Sequence, residues 1–118
     1  MALVLVVDDA AFMRMRLRKV LEADGHEVIE ASNGHEAVAA YDEHKPDITL
    51  MDITMPEMDG LEALRVIRSK HPDAKIIMCS ALGQESTVIE AIKSGAKDFI
   101  VKPFQPEVVT GAVKKQVG

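Results

Sequence analysis

The sequence predicts an α/β fold: a doubly wound parallel sheet of five strands, (βα)5, in the order 2-1-3-4-5. Three observations predict it. Five short β-rich runs alternate with longer stretches of helical periodicity. Runs one, three and four are apolar almost throughout, as strands buried on both faces are. Right-handed crossovers then leave few topologies. The order itself is one of the two common doubly wound orders and does not follow from periodicity.

The first run covers residues 3–7, and Asp8 ends it. Beyond it Met13, Leu17, Val20 and Leu21 recur at i, i+4, i+7 and i+8, one face of a helix. Arg14, Arg16, Arg18 and Lys19 fall largely on the other side and read as a solvated face. The second run, residues 26–30, alternates more, which suits an edge strand. Asn33 followed by Glu36 has capping-box spacing and opens the second helix. Ala37, Val38 and Tyr41 form its apolar side, and Pro46 lies beyond its end.

The third run, residues 48–51, leads straight into Asp52. Asp59 and Glu62 repeat the capping spacing before Leu61, Leu64 and Ile67 of the third helix. The fourth run spans 75–79. The fourth helix, 84–94, is expected to pack through Val88, Ile89 and Ile92, with Gly95 as its C′ residue. The fifth run spans 99–101. The last helix opens with Pro106 and Glu107 and closes near Lys114 and Lys115, in keeping with the helix dipole.

The 118 residues suit a single domain over 1–118 with no output domain, and an apolar fraction of 47% suffices for one core. A net charge of −5 argues against a nucleic-acid surface. No apolar run approaches the ~20 residues of a membrane span. The start, Met1-Ala2-Leu3-Val4, lacks a charged leader and a cleavage site, so a soluble, cytoplasmic domain is expected; a monomer is expected as well. Cys79 is the single cysteine and reads as a small buried residue. His26, His35, His44 and His71 show no ligand spacing and read as surface residues. The seven methionines read as core filler.

In such sheets, ligands bind at the carboxyl ends of the strands, where the winding switches direction. Asp8 and Asp9 follow strand one, and Asp52 follows strand three, its neighbour. Strand four leads into Ser80 and strand five into Lys102. Two unit charges ~4 Å apart repel by about 1 kcal/mol in water and about 4 at an effective dielectric of 20. Three carboxylates in a cleft therefore raise their pKa values or recruit a cation. A few hard oxygen ligands with room for water fit Mg²⁺ better than zinc. With an ammonium and a hydroxyl opposite, the set suits phosphoryl transfer, which needs positioning and charge neutralisation above all. Asp52 is the candidate nucleophile, and Asp8 and Asp9 the candidate metal ligands. Each residue taken alone has a plainer reading: Asp8-Asp9 as a helix cap, Asp52 as a loop residue, Lys102-Pro103 as a turn. Their joint arrival on one rim is what favours chemistry.

Four motifs carry a resemblance: VVDDA (6–10), LMDITMPEMDG (50–60), CSA (79–81) and DFIVKPF (98–104). Over essentially its whole length the chain resembles the receiver domain of two-component response regulators. The phrases DDAAFMR, MDITMPEMDG and GAKDFIVKPFQP look like the chemotaxis (CheY-like) branch, especially in Gram-positive and thermophilic bacteria. That branch is itself a reference example of the flavodoxin-like strand order used above. The resemblance implies that Asp52 accepts a phosphoryl group from a CheA-like histidine kinase. It implies Mg²⁺ on Asp8, Asp9, Asp52 and the Thr54 backbone carbonyl, with Lys102 and the Ala81 N–H contacting the phosphoryl group. Ser80 and Phe99 would be the switch pair, and Lys102-Pro103 a cis peptide. The protein would then be a switch, not an enzyme in its own right, although it promotes its own phosphorylation and dephosphorylation. The implied output partner is the flagellar motor switch, with an aspartyl-phosphate phosphatase as a further partner.

Ser80 stands where many relatives carry Thr, and Phe99 where many carry Tyr. Thr54 and Leu82 occupy the family's two variable positions. Leu82 offers no group to orient a water, so a fairly long-lived phosphate is expected. Three other readings stand beside this one: a phosphorelay intermediate, a receiver excised from a transcriptional regulator, and an aspartyl-phosphate hydrolase. The hydrolase pattern D-x-D lacks its second Asp here, because Ile53 and Thr54 follow Asp52.

Overall fold

A computed structural model describes residues 1–117; Gly118, the last residue of the expected domain, lies outside the described residues. Strands and helices alternate throughout: β1 Leu3–Val7, α1 Ala11–Ala23, β2 Glu27–Ala31, α2 Gly34–His44, β3 Ile48–Met51, α3 Gly60–Lys70, β4 Ile76–Ser80, α4 Glu85–Lys93, β5 Asp98–Val101 and α5 Pro106–Val117. The five strands pair in parallel in the order β2-β1-β3-β4-β5. β2 is thus an edge strand, and β1 and β3 are central neighbours, with Val7 beside Met51 in register.

Two apolar layers flank the sheet, because successive strand side chains point to opposite faces. Leu5, Val7, Met51, Ile76 and Met78 face one layer, which includes Ala37, Leu64, Ile67 and Ala91 from α2, α3 and α4. Val4, Val6, Ile48, Leu50 and Ile77 face the other, with Leu17 and Leu21 of α1 and Val109 and Val113 of α5. Thr49 sits fully buried in β3, and its Oγ1 has no hydrogen-bond partner.

The caps largely follow the sequence pattern. Asn33 Oδ1 accepts from Glu36 N at 2.9 Å and Asp59 Oδ1 from Glu62 N at 2.9 Å. The return half of the first box is shifted by one residue. The Glu36 carboxylate accepts from Ser32 N and Ser32 Oγ, not from Asn33 N. Gly95 follows α4 with φ +110°, a left-handed stop.

Three expectations need correction. In α4, Ala91 is the buried residue, while Ile89 and Ile92 are 44% and 47% exposed. The inward face centres on Ala91 and passes through half-buried Thr87 and Val88. At 3.6 residues per turn Ile92 lies about 100° round from Ala91, and Ile89 about 160° away. The methionines divide: Met51, Met55 and Met78 are buried, but Met1 and Met15 are exposed. Two histidines are not surface residues. The His26 side chain is 8% exposed and its Nδ1 accepts from Ala2 N, because the ring closes the open end of β1. His71 is half-buried, with its ring 4.8 Å from that of Tyr41 and its Nε2 2.8 Å from Asp42 Oδ1.

Candidate functional site

The sheet delivers the candidate residues to one rim. Just past the strands, Asp52 N donates to Val7 O at 2.9 Å and Asp8 N to Ala31 O at 3.2 Å. Lys102 N donates to Ser80 O at 2.9 Å. The rim backbone is therefore an extension of the β ladder, and its side chains start from fixed positions.

Asp8 and Asp52 are buried, 2% and 8% exposed, while Asp9 is open to solvent. Carboxylate oxygens of the three lie within 4.8 Å of one another. Lys102 Nζ is 2.6 Å from Asp8 Oδ2 and 3.7 Å from Asp52 Oδ1. Asp8 Oδ1 accepts from Ala10 N, and Asp52 Oδ1 from Ile53 N, each at 2.9 Å. Asp8 thus turns its own loop; the N-cap residue of α1 is Ala10, which has no side-chain cap bond.

Burial pushes the Asp52 carboxyl above the usual carboxylate range; Lys102 opposes the shift, and the neighbouring Asp8 and Asp9 add to it. Burial works against the Lys102 ammonium, but its bond to Asp8 and the charges of Asp52 and Asp8 outweigh it and hold the group above its ordinary value. One ammonium faces three carboxylates here. The residual negative charge, carried by hard oxygens close enough to share an ion, is chemically suited to a small divalent cation.

Ser80 is 1% exposed and is the last residue of β4, not the first residue beyond it. Its Oγ accepts from Leu82 N at 3.0 Å, so the hydroxyl is engaged in its own turn. Phe99 is half-buried against the α2–α3–α4 layer. Ala81, Leu82 and Thr54 are exposed on the loops around the rim. The Lys102–Pro103 peptide is cis.

Pattern reading missed several supports. Arg14 is not simply solvated: its Nη1 donates to Asp8 O at 2.7 Å while its Nε pairs with Glu30 at 2.9 Å. Gly60 N donates to Ile53 O at 2.7 Å, and a Cβ at position 60 would lie 2.8 Å from the Asp52 carbonyl carbon and 2.9 Å from Ile53 Cα. The Asp-Gly step that opens α3 was the available signal, because only glycine allows so close a backbone approach.

The chain matches the family described as "Response regulator receiver domain" over residues 4–114. It is 62% identical over 113 residues to the chemotaxis protein CheY of Thermotoga maritima, covering 95% of this chain and 94% of that one. Identity to the Bacillus subtilis chemotaxis protein CheY is 58% over 113 residues, with the same coverage. A chain of the crystal structure of the CheX–CheY–BeF3–Mg²⁺ complex from Borrelia burgdorferi superposes with a TM-score of 0.93 at 40% identity. That match covers 96% of this chain and 87% of that chain.

Proposed function

The chain belongs to the response-regulator receiver family, and on that premise we propose that it is a chemotaxis-type signalling switch phosphorylated on Asp52. The single observation that carries the assignment is Asp52 held between the Asp8–Asp9 pair and Lys102 on one buried rim. The proposed donor is a histidine-kinase phosphohistidine. An Asp52 carboxylate oxygen attacks phosphorus, the N–P bond breaks, and the imidazole leaves, taking a proton. Bound Mg²⁺ would neutralise phosphoryl oxygens and draw the carboxylates together. Asp8, Asp9, Asp52 and the Thr54 carbonyl are its proposed ligands.

Lys102 is already 2.6 Å from Asp8, and in this reading turns its ammonium to the incoming phosphoryl oxygens. The Ala81 N–H and the Ser80 hydroxyl are the proposed remaining donors. Ser80 gives up its bond to Leu82 N to reach the phosphate, and Phe99 moves inward behind it. The response is a shift between two populations of the β4–α4–β5–α5 face, as differential contacts require. Exposed Ile89, Ile92, Val101 and Val108 on those elements support a partner-binding role for that face. The proposed partners are a CheA-like kinase, the flagellar motor switch and an aspartyl-phosphate phosphatase. The proposed setting is the cytoplasm.

Incubation with a small phosphodonor and Mg²⁺, followed by intact mass, tests the acceptor. One phosphoryl adduct is expected on the parent and on Asp59→Ala, and none on Asp52→Ala. An undiminished adduct on Asp52→Ala would overturn the assignment.

A further inference from the structure

We propose that Gly34 is a positioning residue for the metal site, acting through the backbone of Met58; the inference rests on the Mg²⁺ reading of the acidic rim. Gly34 is the first residue of α2 and is buried, although it follows an edge strand and lies far in sequence from any acidic ligand. A Cβ at position 34 would meet Met58 Cγ at 2.7 Å and Met58 Cβ at 2.8 Å, with the Met58 carbonyl oxygen closer still. Such a contact requires the neighbour to move, and here the nearest atom is a backbone carbonyl oxygen, with Cβ, itself fixed to the backbone, close behind.

The segment that would move is the loop 52–59. It has little slack. Ile53 and Met55 are buried in the core beneath it, 5% and 7% exposed. Glu57 holds φ 68°, a left-handed conformation that is unfavourable in a non-glycine residue. At the far end Gly60 is pressed against Asp52 and Ile53, where any displacement of Met58 and Asp59 must be passed on. The loop carries Asp52 at one end and Thr54 within it, so the α2 N-terminus braces the metal ligands without touching them. A small residue at position 34 sets how closely α2 approaches and therefore where the loop rests.

Mg²⁺ calorimetry on the parent, Gly34→Ala and Gly111→Ala tests this. Gly111 lies exposed on α5, and a Cβ there meets nothing within 4 Å. Gly34→Ala is expected to bind Mg²⁺ roughly tenfold more weakly, within the range seen when groups behind metal ligands are altered. Gly111→Ala should bind as the parent does. A folded Gly34→Ala with affinity within about twofold of the parent, or an equal loss in Gly111→Ala, would overturn the inference. Should Gly34→Ala not fold, hydrogen exchange on the parent takes its place, read at the Glu36 and Ala37 amides that open α2 and compared with α5. Exchange slowed by Mg²⁺ at those two amides beyond any change in α5 supports the brace, and exchange there that Mg²⁺ leaves unaltered overturns it. A parent that binds no Mg²⁺ would remove the metal reading and this inference together; a parent that binds beside an unaffected variant removes only the inference.

Discussion

Cys79 shows how a residue next to reactive chemistry can itself be inert. It sits on β4 beside Ser80, 2% exposed, with its thiol pushed up to about 11, chiefly by burial. Its ordinary value is 9.0, so the unfolded chain ionises first as pH rises. The native state then holds the extra proton, and stability falls between about pH 9 and 11. In denaturant titrations the parent should lose about 2 kcal/mol more than Cys79→Ala across that interval, and the same below pH 8. Equal slopes would refute the account. A thiol reagent at pH 8 should label the unfolded chain and leave the native one unmodified. At the same scale, the Lys102–Asp8 pair came from two strand ends that are 94 residues apart in sequence but neighbours on one rim.

Among the helices, α4 is held most lightly. Its nine residues bury only Ala91, whereas α3 buries Gly60, Leu61, Ala63, Leu64 and Ile67. Ile92→Ala should therefore cost less than about 1 kcal/mol, and Leu64→Ala about 3, in chemical denaturation. A loss of 2 kcal/mol or more for Ile92→Ala would mean that α4 packs differently. With so little burial, its amides should exchange with solvent faster than those of α3. The apolar spacing of Val88 and Ile92 was legible, but its direction was not. Periodicity identifies a stripe and leaves open whether a core or a partner covers it.

For the molecule as a whole, a metal ion on the acidic rim would be linked to the fold. Two buried carboxylates share one ammonium with a third acid, so the metal-free state carries uncompensated repulsion. Mg²⁺ at about a hundred times its Kd should stabilise the parent by about 2.7 kcal/mol, read as a rise in melting temperature. Asp9→Asn should be less sensitive to Mg²⁺; identical melting in both proteins with and without the ion would contradict the linkage. The sequence alone determined the five β-α units and, to within a residue, the strand ends; the doubly wound order, which periodicity does not give, then puts Asp8, Asp52, Ser80 and Lys102 on one rim. Apolar runs fix where a strand begins and ends, and the topology does the rest. Only the tertiary structure decided the supports: Arg14 on the Asp8 carbonyl, His26 on Ala2, Gly60 against Asp52 and Gly34 against Met58. These contacts join elements whose separation and rotation are set by how whole side-chain layers pack, a quantity that no local period encodes.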